Sequence, residues 1–218
     1  MARQQREPEG PPPAPVVQRL RLRYAKRGRL RFTSIRDFQR ALERAVRRAQ
    51  VPVAFSAGFH PHPRISYANA APTGAASEAE YVELALSQRR DPESVRALLD
   101  DALPIGLDLV EVIEVIPGQS GSLADRLEAS DWAVALPGVD RALLEQAVGT
   151  FLAAERIEVS RVLKTGPRTF DVRSSVAALW VDTPAGMPDA AAAPTPECAI
   201  LRVVVRHSTP ATRPDDVL

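Results

Sequence analysis

Between Gln18 and Tyr24 the chain alternates Leu20, Leu22 and Tyr24 with Arg19, Arg21 and Arg23, and soon afterwards its apolar residues change period. A two-residue period places one side of an extended strand against a core and the other in water. The next apolar set, Ile35, Phe38, Leu42, Val46 and Ala49, follows the 3.6-residue period of a helix. Ser34 with Asp37 three residues on resembles a capping box, with Asp in place of the more usual Glu or Gln. Val51-Pro52 closes the helix. A strand followed at once by an amphipathic helix restricts the fold to mixed classes.

The rest of the chain keeps this rhythm. A turn at Ala25-Lys26-Arg27-Gly28 leads to an expected second strand at Arg29 to Thr33. Strands are expected at Arg64 to Asn69, at Tyr81 to Leu86 with Val82, Leu84 and Leu86 inward, and at Leu107 to Ile116, with a helix at Asp91 to Leu103. A Gly/Ser break at Pro117 to Ser122 separates a second half, with a helix at 139–154 and strands at 131–136, 156–163, 168–182 and 198–206. Pro214 to Leu218 has the composition of a first helical turn. The expected architecture is α+β, with antiparallel or mixed sheets carrying helices on one face and room for two ferredoxin-like halves. Its parts are a disordered Pro-rich tail at 1–17, a basic half at 18–117, and a half at 123–218 carrying a mobile Pro/Ala-rich loop at 183–196.

Composition removes several classes of function. Cys198 is the only cysteine, which excludes an intramolecular disulfide and an iron–sulfur cluster held by this chain alone. It lies in the apolar run Cys198-Ala199-Ile200-Leu201 and reads as a buried, inert thiol. No intrinsic cofactor is expected. Neither a signal peptide nor a membrane-spanning run is evident, and the expected setting is cytoplasmic with no membrane partner. The formal net charge of +1 conceals a division: residues 1–67 hold 15 of the 28 Lys+Arg and 4 of the 27 Asp+Glu, a balance of +11 against −10 for the remainder. Such polarity fits a basic face for phosphates or an internal electrostatic clasp.

Two elements concentrate the chemistry. On the expected helix Arg36, Arg40, Arg44 and Arg47 or Arg48 recur every three or four residues, away from the apolar stripe. The segment Phe55-Ser56-Ala57-Gly58-Phe59-His60-Pro61-His62-Pro63-Arg64 then brings two of the three histidines into a stiff, non-helical stretch. His60 and His62, two residues apart, could face one ion, but zinc needs a further protein ligand and no spacing points to His207, so no metal is expected. Arg31, Arg36, Arg40 and Arg64 are candidate phosphate ligands, since a guanidinium matches phosphate oxygens in bidentate fashion. Phe59 is a candidate for base stacking, together with Tyr67. Glu78, Glu80 and Glu83 are expected to pair with these arginines, and Asp171 and Arg173 to form a cross-strand ion pair.

The run Arg29-Leu30-Arg31-Phe32-Thr33-Ser34-Ile35-Arg36-Asp37, with Arg44 to Ala49, Ser56 to Ser66 and Glu78-Ala79-Glu80-Tyr81, resembles the radical-SAM-linked protein family. The resemblance runs from about Arg19 onward, with a weaker echo at Arg168 to Arg173. It implies an uncharacterised bacterial domain, free-standing or attached behind a B12-binding radical SAM enzyme, with an accessory role beside such enzymes or in RNA-related metabolism. Ile35 stands where that pattern usually has histidine, and His60 where it usually has asparagine or serine; His62, Arg64 and Asp37 match it.

The expected function is therefore an accessory or binding module presenting an Arg/His surface, including His60 and His62, to RNA or another phosphate-bearing ligand. A separate radical SAM enzyme is a candidate partner. Two alternatives stand beside it: an enzyme with His62 as acid/base and Arg31 and Arg64 clamping an anion, and a protein–protein scaffold.

Overall fold

A computed structural model describes residues 12–68, 70–116, 122–163, 166–183 and 198–218. Most of the expected tail and of the loop at 183–196 lies outside these residues. The chain divides into two compact units, Met1–Arg126 and Leu127–Leu218.

In the first unit, β1 (Gln18–Lys26), α1 (Ile35–Arg48), β2 (Ile65–Tyr67), β3 (Ser77–Leu86), α2 (Pro92–Ala102) and β4 (Leu107–Glu114) form an antiparallel sheet of order β2-β3-β1-β4. This is the ferredoxin-like βαββαβ order, and both helices lie on the same side of the sheet. The alternation read from β1 holds: Leu20, Leu22 and Tyr24 are buried to within 2% against Val82, Leu84 and Leu86, while the intervening arginines occupy the helix-free face. Tyr24 stacks on Phe38 of α1 with ring centroids 3.9 Å apart, and Tyr67 meets Phe38 edge-on at 6.3 Å.

The first unit departs from expectation at two places. Gly28–Phe32 is a 3-10 turn rather than a strand: Gly28 takes φ +51°, and the amides of Leu30 and Thr33 bond to the carbonyls of Arg27 and Leu30. The alternation of Arg29 and Arg31 with Leu30 suits this turn equally well, because Leu30 tucks beside Gly106. Ile35, expected on the inward stripe of α1, is 37% exposed, since the helix begins there before its apolar stripe meets the sheet.

The second unit contains β5 (Ala129–Pro137), α3 (Arg141–Ala153), β6 (Glu158–Leu163), β7 (Gly166–Asp171), β8 (Val176–Asp182) and β9 (Cys198–Arg206). β5, β9 and β8 make one antiparallel sheet, and β6 pairs only with β7. The expected single strand at 168–182 is thus two, broken where Asp171 accepts from the amides of Arg173 and Ser174 to shape the turn Arg173–Ser175. The order β8-β9-β5 around α3 repeats β2-β3-β1 around α1. In both units a hairpin-like excursion separates the helix from the next strand: residues 53–64 in the first and β6–β7 in the second. No counterpart of α2 and β4 is present among the described residues, and Trp132, Val134 and Leu136 of β5 remain only partly buried. A short turn at Pro214–Asp216 is tied to β6 by the Arg161–Asp216 ion pair at 2.9 Å. No helix among the described residues is long and apolar enough to cross a membrane.

Candidate functional site

Cross-strand register decides which arginines remain available. Arg21 of β1 lies opposite Glu83 of β3 and forms an ion pair at 2.8 Å. Arg23 faces Glu111 of β4 at 3.6 Å. Arg27 lies between Glu78 at 2.6 Å and Asp108 at 2.9 Å, and its pKa is raised, chiefly by the hydrogen bond to Glu78. The clasp on these ribbon arginines therefore comes from acids of the same unit. Glu80 plays another part. It is in phase with Val82 and buried, and its carboxylate accepts the amide of Ala71 at 3.1 Å while buried Lys26 donates to the carbonyl of Ala71 at 3.1 Å. The two charges fix the loop after β2 instead of serving a ligand.

The α1 arginines behave differently. Ser34 accepts the amide of Asp37 at 3.2 Å, and its hydroxyl donates to the Asp37 carboxylate at 2.7 Å, so the cap consumes the acid nearest Arg36. Arg36, Arg40, Arg44 and Arg47 are exposed on the face opposite Phe38, Leu42 and Ala45, and among the described residues none of the four makes a hydrogen bond or ion pair. Arg48 turns aside to donate to the carbonyl of Ala102 at 3.3 Å. Successive members of the row are about 5–6 Å apart along the axis, and the whole covers roughly 16 Å.

At the C-terminal end of α1 the chain rejoins the sheet through a bridge between Val53 and Leu86, then turns out into the His-Pro segment. This excursion is braced. Phe55 bridges Pro63, the Ser56 amide donates to the His62 carbonyl at 2.9 Å, the His62 amide donates to the Ser56 hydroxyl at 3.0 Å, and the Arg64 amide reaches the Ala54 carbonyl at 2.8 Å. Gly58 takes φ +124° at the tip, a conformation closed to other residues without strain. Phe55, Phe59, His60, His62 and Arg64 are all exposed, and the two aromatic rings keep 47% and 61% of their surface in solvent.

Arg31 lies elsewhere. Its carbonyl accepts from Gly74 and its guanidinium sits 4.8 Å over the Phe32 ring, beyond the end of the sheet where Lys26 pairs with Ser77. Arg64 accepts from the amide of Ala85 near the opposite end of β3. At about 3.4 Å per residue the two are separated by roughly 27 Å of strand. Arg31 and Arg64 therefore do not clamp one small anion around His62; α1 runs from one end to the other, with Arg40, Arg44 and Arg47 between.

Several other groups have ordinary structural roles. Tyr67, a candidate stacking residue, packs against the core, and burial, with the charge of Glu43 second, raises the pKa of its hydroxyl. Asp171 does not pair with Arg173, whose guanidinium lies over Phe151 and reaches the carbonyl of Leu152. His207 shares a hydrogen bond of 2.8 Å with Ser130. Cys198 is buried. Among the described residues no three His, Cys, Asp or Glu side chains gather as a metal site. An open cavity of about 630 Å³ beside β1 and β3 is lined by Arg19, Ser66, Glu83, Arg89 and Glu114, but Glu83 and Glu114 are already paired with Arg21 and Arg89.

An antiparallel α+β chain of two βαββ-containing units, the first with a basic helix face, is the class these features define. The chain belongs to the family described as uncharacterized protein conserved in bacteria (DUF2344), whose model matches residues 19–214 and so extends across both units. No curated protein matches it.

Proposed function

We propose that this protein is a non-catalytic binding module that takes a phosphate-bearing ligand, with RNA foremost, along the arginine face of α1. The observation that carries the reading is the contrast between two sets of arginines: Arg21, Arg23 and Arg27 are neutralised by partners, whereas Arg36, Arg40, Arg44 and Arg47 are exposed without any among the described residues. Unpaired guanidinium groups need shed no internal partner before meeting phosphate oxygens, and a row about 16 Å long suits a backbone better than a single anion. The sheet offers a poorer surface. Its helix-free face carries ion pairs and one aromatic ring, Tyr81, instead of a row of stacking platforms.

We further propose that the module acts beside a separate B12-binding radical SAM enzyme. The resemblance carried by Arg29 to Asp37 and by Ser56 to Ser66 supports this role.

Retention of RNA across a salt series tests the binding. Engagement of four phosphates gives a slope of log affinity on log salt near −3, and replacing all four stripe arginines by serine brings it toward zero. Absence of binding at low salt overturns the reading.

A further inference from the structure

We infer that the ligand of this surface is a single-stranded segment of RNA, with an unstacked base held on Phe59 at the tip of the 55–63 hairpin. The inference rests on the α1 arginine face being the phosphate track. Four observations lead to it. Phe59 is 61% exposed near the tip of the loop, and Phe55, where the loop bridges to Pro63, is 47% exposed. An aromatic ring held in water on a braced backbone can serve as a stacking platform at a reduced ordering cost. The bracing is explicit in the Phe55–Pro63 bridge and the paired Ser56 and His62 bonds, with Pro61 and Pro63 restricting the return strand.

The hairpin also lies where the track ends. α1 finishes at Arg48, the amide of Val51 closes back on Val46, and Val53 joins the sheet immediately before Phe55. Arg64, exposed and unpaired among the described residues, stands at the base of the same hairpin and supplies a phosphate contact between the α1 track and the base on Phe59. A duplex cannot use this arrangement, because its bases are already stacked on one another and its grooves present edges to an incoming ring. A strand with free bases satisfies both parts, its phosphates along α1 and a base on Phe59.

The test compares three probes on the full chain: a short oligouridine, an RNA duplex of equal length, and inorganic polyphosphate. The oligouridine is expected to bind more tightly than the duplex, and Phe59→Ala to weaken it about tenfold or more while leaving polyphosphate binding and the salt slope unchanged. Phe59→Tyr, which keeps the ring, is expected to retain the affinity. Equal binding of strand and duplex, or an oligouridine affinity indifferent to Phe59→Ala, overturns the stacking while polyphosphate retention leaves the arginine track standing. Failure of all three probes to bind at low salt overturns both.

Discussion

Arg21 and Glu83 sit opposite each other in the β1–β3 register and close an ion pair of 2.8 Å, with side chains only 21% and 12% exposed. With the Arg23–Glu111 pair, two of the three arginines on β1 are committed to their own sheet. Replacing Arg21 with glutamine is expected to cost about 1 kcal/mol of stability in urea unfolding and to leave RNA affinity unchanged. Arg40→Gln is expected to do the reverse, weakening RNA binding with little change in the unfolding midpoint. If both variants bind RNA equally well, the division between structural and available arginines is wrong.

Phe38 joins the helix to the sheet. It is 1% exposed, stacks on Tyr24 with ring planes 6° apart, and meets the edge of Tyr67. Phe38→Ala removes both ring contacts and leaves a cavity beneath α1, at an expected cost of about 3–5 kcal/mol. Phe38→Leu fills more of that space and is expected to recover a large part of the loss. Chemical denaturation of the two variants measures the difference, and an alanine variant within 1 kcal/mol of the parent (roughly the scale of a surface change) would contradict the packing.

The repeated βαββ order carries its own expectation about local opening. β1 is hydrogen-bonded on both sides, to β3 and β4, whereas β5 pairs with β9 alone among the described residues. Trp132, Val134 and Leu136 accordingly stay partly exposed where Leu20, Leu22 and Tyr24 are sealed. Amide hydrogen exchange followed by mass spectrometry should find β5 peptides exchanging well ahead of β1 peptides. Equal protection of the two strands would mean that β5 has a partner on its outer edge.

Local periodicity made much of this readable. The two-residue alternation of β1 and β3 and the 3.6-residue spacing of α1 identify their buried faces directly, and the same spacing separates the arginine row from the core. The phase of Glu80 with Val82, Leu84 and Leu86 also carried its burial in plain view, although its loop-backbone partner Ala71 did not. Pairing across distant strands was opaque. Nothing local shows that Arg21 meets Glu83 while Arg40 meets no acid among the described residues, because strand register is set by the whole sheet. For the same reason Arg31 and Arg64 look like members of one site in the sequence and stand at opposite ends of β3 in the fold.

Asp171 gives the second unit a pH-dependent element. Its carboxylate accepts the amides of Ile157 at 3.0 Å, Arg173 at 3.1 Å and Ser174 at 3.3 Å, tying the end of β7 to the chain before β6 and to the following turn. The bond from Ile157, ahead of those from Ser174 and Arg173, holds its pKa below the ordinary aspartate value. A lowered folded pKa means that the contribution to stability is fully present above the unfolded value of about 3.9 and is lost as the pH falls through that value toward the folded one. Asp171→Asn keeps an acceptor oxygen but has no charge to lose. The variant should therefore melt below the parent at neutral pH, and the gap should narrow as both are acidified through that window. Parallel melting curves for parent and variant from pH 6 down to about 3 would rule out this role for the carboxylate.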